Sequence, residues 1–87
     1  METIEREQVV TILLEDGAAQ DRAVMYADVF CEYLLASRNI EKNGLIVGHP
    51  RTGNPIENPY LAVRDRALRK VSSMRDVKAA RLWEEIA

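Results

Sequence analysis

Apolar residues recur at helical spacing along most of the chain, and the stretch from residue 18 to residue 43 shows this most clearly. Asp21, Asp28, Glu32 and Asn39 recur at intervals of seven or four and form one narrow polar stripe along it. From residue 23 to residue 36, all the other positions are apolar. The pattern therefore predicts a long central helix that is buried on more than one side.

The apolar surface of this helix exceeds what the two other main helices of so short a chain are expected to cover. We interpret the surplus as a contact with other copies of the chain. The residues expected in that contact are Val24, Tyr26, Phe30, Cys31, Tyr33 and Leu35. The alternative interpretation is a helix that lies at the centre of a small bundle.

Helical patterns also lie on both sides of the central helix. Residues 1–17 predict an N-terminal helix that ends at Asp16-Gly17, because glycine accepts the left-handed conformation common just after a helix. Residues 59–87 predict C-terminal helices, a longer one followed by a short one.

The helical pattern breaks between residues 44 and 58, which hold two of the three prolines and three of the four glycines. Residues 45–47 favour a short strand, residues 52–54 favour a turn, and residues 56–57 favour a brief return strand. A small β-hairpin is therefore expected between the second and third helices.

Asn58-Pro59 marks the point where the helical pattern resumes. Asparagine is a favoured N-cap because its side-chain oxygen accepts a hydrogen bond from a free amide of the first turn. Proline at the first helical position has a suitable φ and no amide that needs a partner. A helix is therefore predicted to begin at Pro59.

Together these patterns predict a mainly α fold, with three to four helices and a short β-hairpin between the second and third helices. The 87 residues are expected to form one small helical domain, 1–87, with a modest core. Its apolar runs are only a few residues long, so no membrane contact is expected.

The formal net charge of −2 hides an asymmetry between the two ends of the chain. Residues 1–21 hold six acidic residues and one basic residue, which gives −5. Residues 60–81 hold seven basic and two acidic residues, which gives +5. The ends therefore have opposite charge, which suits contacts between neighbouring copies.

Basic residues cluster on the helix predicted from Pro59 onward. Arg66, Arg69 and Lys70, with Arg64 nearby, are expected to form a basic strip on its outer face. Such a strip can bind phosphates without reading sequence. The alternative is a solvated face that pairs with the acidic N-terminal helix of the same or a neighbouring chain.

Residues suited to catalysis or metal binding are sparse. Cys31 and His49 are the only cysteine and histidine, and they fall on different elements, so no zinc-ligand set is expected. The glycines do not form a phosphate-binding loop. We therefore expect no catalytic residue, metal or cofactor, and we expect that the protein is not an enzyme. One cysteine and an N-terminus without a signal-like pattern favour the cytoplasm.

Several local features follow one another in a recognisable order across residues 13–71. They are Asp21, Tyr26 and Tyr33 on the long helix, Gly44 before the apolar strand, Gly53-Asn54 in the turn, and Asn58-Pro59. In this order the chain resembles the small subunit of double-stranded DNA phage terminases.

The resemblance implies a non-enzymatic role in packaging the viral genome. Small subunits of this kind form rings of identical copies, bind viral double-stranded DNA, and recruit the large subunit, which carries the ATPase and nuclease. The implied location is the cytoplasm of a bacterial host, for a protein encoded by a phage or prophage. A dimeric helical module for protein interaction or regulation, without DNA binding, is the alternative.

Overall fold

The computed structural model describes residues 6–86, which form four α-helices and one β-hairpin. In chain order the elements are α1 (Arg6–Glu15), α2 (Gln20–Asn43), β1 (Ile46–Gly48), β2 (Pro55–Glu57), α3 (Tyr60–Ser73) and α4 (Ala80–Ile86). The hairpin lies between the second and third helices, so the predicted fold class is confirmed. The first part of the predicted N-terminal helix lies outside the described residues.

Helix α2 is the central element, and it packs most extensively against α3 and less extensively against α1. Its buried side chains join one core with residues of α1, α4 and the segment after α3. The largest fully buried side chains in residues 6–86 are Phe30, Leu13, Leu82 and Val9. The bundle therefore covers two sides of α2 from within the chain.

Trp83 of α4 closes the bundle over three aromatic residues of α2. Its ring meets Phe30 edge-on with centroids 4.7 Å apart, and it meets Tyr33 in the same way at 5.1 Å. The Trp83 indole N–H donates to the Tyr26 hydroxyl at 2.7 Å. Burial raises the pKa of Tyr26, which favours the protonated phenol.

Ion pairs connect the acidic N-terminal part of the chain to α4. The Arg81 guanidinium lies 2.8 Å from the Glu15 carboxylate and 3.1 Å from that of Asp16, and it also donates to the Ile12 carbonyl. A second pair, 2.7 Å long, joins Arg22 near the start of α2 to Asp76 after α3. These half-exposed pairs orient the helices and add little stability each.

The β-hairpin is attached to the helices through Asn58, the only buried polar residue in residues 6–86. Its side-chain N–H₂ donates to the Asn39 side-chain oxygen at 3.1 Å and to the Gly44 carbonyl at 2.9 Å. Its side-chain oxygen accepts from the Tyr60 amide at 2.9 Å, and Pro59 already has helical dihedrals. Asn58 thus caps α3 as predicted and also fixes the end of α2.

Helix α2 ends where the chain needs a positive φ. Gly44 follows its last residue with φ of 87°, a conformation that a side chain disfavours.

Within residues 6–86, no helix is long and apolar enough to cross a membrane.

Candidate nucleic-acid interface

Three of the four predicted DNA-binding residues share one face of α3. At 100° per residue, Arg66, Arg69 and Lys70 fall within an arc of about 100° around the helix axis. All three side chains are exposed, and none forms an ion pair with another residue of the range 6–86. We call Arg66, Arg69 and Lys70 the basic face of α3.

Arg64 does not belong to the basic face, which corrects the prediction that grouped it with the others. Two residues along a helix correspond to about 200° of rotation, so Arg64 points away from Arg66. Its guanidinium lies 3.2 Å from the carboxylate of Asp65. Arg64 is therefore partly neutralised on a different side of the helix.

A shallow groove borders the basic face where α3 runs beside α2. Its lining includes Met25 and Val29 of α2 and Lys70, Ser73 and Met74 of the α3 side. Met25 is half-exposed, so the groove offers apolar surface next to the Lys70 ammonium. The Ser73 hydroxyl donates to the Lys70 carbonyl at 2.7 Å, so that donor is occupied within the helix.

Arg22 also lines this groove, but its guanidinium is paired with the Asp76 carboxylate. Two guanidinium nitrogens of Arg22 donate to the two Asp76 carboxylate oxygens at 2.7 and 2.8 Å. This hydrogen bonding lowers the pKa of Asp76, which keeps the carboxylate charged well below neutral pH. An incoming anion would therefore meet Lys70 and the other two basic side chains rather than Arg22.

The predicted oligomer contact on α2 is partly wrong. Phe30 is fully buried and Tyr26 is 4% exposed, and both belong to the chain's own core. Val24, Cys31 and Tyr33 are half-buried, and Tyr33 packs on Trp83. Leu35 remains exposed at 56%.

Tyr26, Phe30 and Tyr33 are covered because α4 folds back onto α2 and brings Trp83 onto the aromatic side of that helix.

Burial, followed by the nearby Asp28 carboxylate, raises the pKa of the Cys31 thiol, so this group is a poor nucleophile.

Other exposed apolar residues lie where the sequence pattern indicated only a strand. Leu45 is 58% exposed and Ile46 is 61% exposed, at the start of the hairpin. A strand that is covered on one face alternates apolar and polar residues, whereas residues 45–47 are all apolar. That continuous run was the sequence signal for exposed apolar side chains here. This run instead places apolar side chains in solvent.

His49 organises the turn of the hairpin. Its Nδ1 accepts from the backbone amides of Arg51 at 3.1 Å and Thr52 at 3.4 Å. These contacts give the only histidine a local structural role.

Within residues 6–86, no group of three or more histidine, cysteine or acidic side chains is placed to hold a metal ion. Comparisons with protein-family models, curated proteins and solved structures found no match.

Proposed function

We propose that this protein is a non-enzymatic DNA-binding subunit of a viral genome-packaging machine, of the terminase small-subunit kind. The observation that carries the proposal is the exposed basic face of α3, whose three side chains form no ion pair within residues 6–86. The proposed partners are viral double-stranded DNA, other copies of the chain in a ring, and the large ATPase-nuclease subunit. The proposed location is the cytoplasm of a bacterial host.

The distribution of ion pairs supports this use of the basic face. The acidic residues next to the first loop, Glu15 and Asp16, pair with Arg81 of α4 and not with the basic face. Neutralisation by this part of the N-terminal helix was the main alternative for Arg66, Arg69 and Lys70. Among residues 6–86, these two carboxylates pair with a different arginine, which supports a role for the basic face in binding phosphates.

Counterion release gives the expected salt dependence. Three phosphate contacts correspond to a slope of about −2.7 in a plot of log K against log salt concentration. Raising the salt from 50 to 200 mM would then weaken binding by about 40-fold for each set of three contacts. An assembly that uses the basic face of several copies would show a steeper slope.

A mobility-shift titration at several salt concentrations tests the proposal. We expect the triple variant Arg66→Ala, Arg69→Ala, Lys70→Ala to lose DNA binding and the steep salt dependence. The matched control is the triple variant K42A/R75A/K78A, which removes the same charge from three other exposed positions. Equal loss of binding in both variants would indicate a response to net charge alone, and unchanged binding in the first would exclude this face.

A second candidate function is a dimeric helical module for protein interaction or regulation that does not bind DNA. The exposed apolar side chains at Leu35, Leu45 and Ile46 favour it, because they provide contact surface away from the basic face. Under this alternative, the protein self-associates but gives no mobility shift with double-stranded DNA even at low salt.

A further inference from the structure

The two edges of the β-hairpin present different backbone groups to solvent. The register pairs Ile46 with Glu57, Val47 with Ile56 and Gly48 with Pro55. Hydrogen bonds beyond the strand ends, from the Asn58 amide to the Leu45 carbonyl and from the His49 amide to the Asn54 carbonyl, fix which residues face inward. In an antiparallel pair, alternate residues direct their backbone N–H and C=O groups toward the partner strand. The backbone groups of residues 45, 47 and 49 therefore face β2.

Ile46 and Gly48 therefore direct their N–H and C=O groups away from β2. Neither amide donates to another described residue outside the hairpin. On the opposite edge the outward positions are Pro55, which has no N–H, and Glu57, which is charged. Proline and charge are the usual means by which a sheet edge avoids pairing. The β2 edge is protected in this way, whereas the β1 edge is open and uncharged.

We infer that the open edge of β1 pairs with β1 of a second copy of this chain. In an antiparallel pair centred on Val47, Ile46 lies opposite the second copy's Gly48, and Gly48 lies opposite its Ile46. Each of these pairs exchanges two backbone hydrogen bonds, which makes four in total. The result is a four-stranded antiparallel sheet with a two-fold axis through Val47. This contact is independent of DNA binding and goes beyond the proposed function.

The side chains of β1 fit this arrangement. Ile46 is 61% exposed, and across the two-fold axis it meets a glycine that has no side chain of its own. The isoleucine can therefore lie over the glycine backbone of the other copy and leave water. Leu45, which is 58% exposed, lies next to the same edge.

A second copy is favoured over an unrelated extended segment because the edge is complementary to itself. Its two outward residues, Ile46 and Gly48, are equidistant from Val47. One two-fold rotation therefore gives a partner to the N–H and C=O of both residues. A two-stranded sheet with three residues in each strand is also marginally stable in water. Pairing with an identical hairpin doubles the number of strands. If every copy in a closed assembly makes this two-fold contact, the assembly contains an even number of copies.

Disulfide cross-linking tests the two-fold axis directly. Position 47 lies opposite itself in a pair without mutual hydrogen bonds, where Cα atoms are about 4.5 Å apart, and this lies within the range that a disulfide spans. In a Cys31→Ala background, V47C is expected to form a covalent dimer under mild oxidation with glutathione. The matched control is I56C in the same background, at the paired position on β2, where the second copy's residue 56 lies roughly 14 Å away across three strand spacings.

Cross-linking of V47C without cross-linking of I56C supports the inference. No V47C dimer at protein concentrations up to about 100 μM, or equal cross-linking of both variants, overturns it.

A second experiment uses the mass of the assembly, measured by light scattering after size exclusion. I46K places a charge on the open edge at a position that is already exposed, so folding should persist, as helicity measured by circular dichroism would verify. We expect it to lower the mass to half, whereas Glu57→Lys on the protected edge should not. An unchanged mass for I46K would contradict the inference. The triple variant of the basic face should keep the V47C cross-link, so loss of DNA binding and loss of pairing are separable.

Discussion

Replacement of Asn58 tests whether one side chain joins the hairpin, α2 and α3. The residue is 2% exposed, and its side chain makes hydrogen bonds to Asn39, to the Gly44 carbonyl and to the Tyr60 amide. Asn58→Ala removes all three at once. The Gly44 carbonyl and the Tyr60 amide then lose their side-chain partner at the junction.

The magnitude follows from these contacts. A typical intramolecular hydrogen bond contributes about 1 kcal/mol net, and loss of an N-cap residue costs about 1 kcal/mol. Leaving a buried group unsatisfied adds about 1–3 kcal/mol. Since the cap is one of the three bonds, we expect Asn58→Ala to lower the free energy of unfolding by about 3 kcal/mol. This is a large share of the roughly 5–15 kcal/mol that stabilises a domain.

Two further variants separate the contributions. Asn39→Ala removes only one of the three hydrogen bonds and should cost about 1 kcal/mol. Asn58→Asp keeps an acceptor for the Tyr60 amide but brings a buried carboxylate to the Gly44 carbonyl, so we expect it to cost at least as much as Asn58→Ala.

Urea unfolding followed by circular dichroism measures these differences. The protein concentration must be the same for every variant, because association of copies would contribute to stability. If Asn58→Ala costs no more than Asn39→Ala, the junction does not depend on Asn58 and the reasoning is refuted.

Three other predictions address the core, a backbone position and an ion pair. Phe30→Ala should cost about 3–5 kcal/mol in urea unfolding because the ring is fully buried, whereas Leu35→Ala, at an exposed position, should cost well under 1 kcal/mol in the unassociated chain. Gly44→Ala should cost about 1–3 kcal/mol, since its φ of 87° and ψ of 176° lie in a region that residues with a side chain rarely adopt; a neutral result would show that the backbone shifts there. Arg22 lowers the pKa of Asp76, so the stability from this pair is present above the ordinary carboxyl pKa and is lost as the pH falls through the lowered value. Thermal unfolding between pH 7 and pH 2 should show a shallower acid loss in Arg22→Ala, and identical pH profiles would argue against the pair.

Local chemistry made several elements predictable from the sequence. The apolar periodicity of residues 20–43 specified α2 because helix periodicity is a property of neighbouring residues. Asn58 and Pro59 specified the start of α3 for the same reason, since a capping bond spans only two residues.

The order of α2, the hairpin and α3 followed directly from these local signals and from the glycine-rich turn between them. The exclusion of Arg64 from the basic face follows from the helical angle alone, because residues two apart on a helix are separated by about 200°.

Tertiary structure decided which apolar faces are covered and which are left in solvent. The sequence could show that α2 carries more apolar surface than a single-sided helix, but Tyr26 and Phe30 became core residues because other helices pack on them, including α4 with Trp83. The choice of Arg81, and not the basic face, as the partner of Glu15 and Asp16 likewise depends on contacts between residues far apart in the chain. Helical periodicity is set within a few residues, whereas burial and ion pairing depend on how whole helices meet.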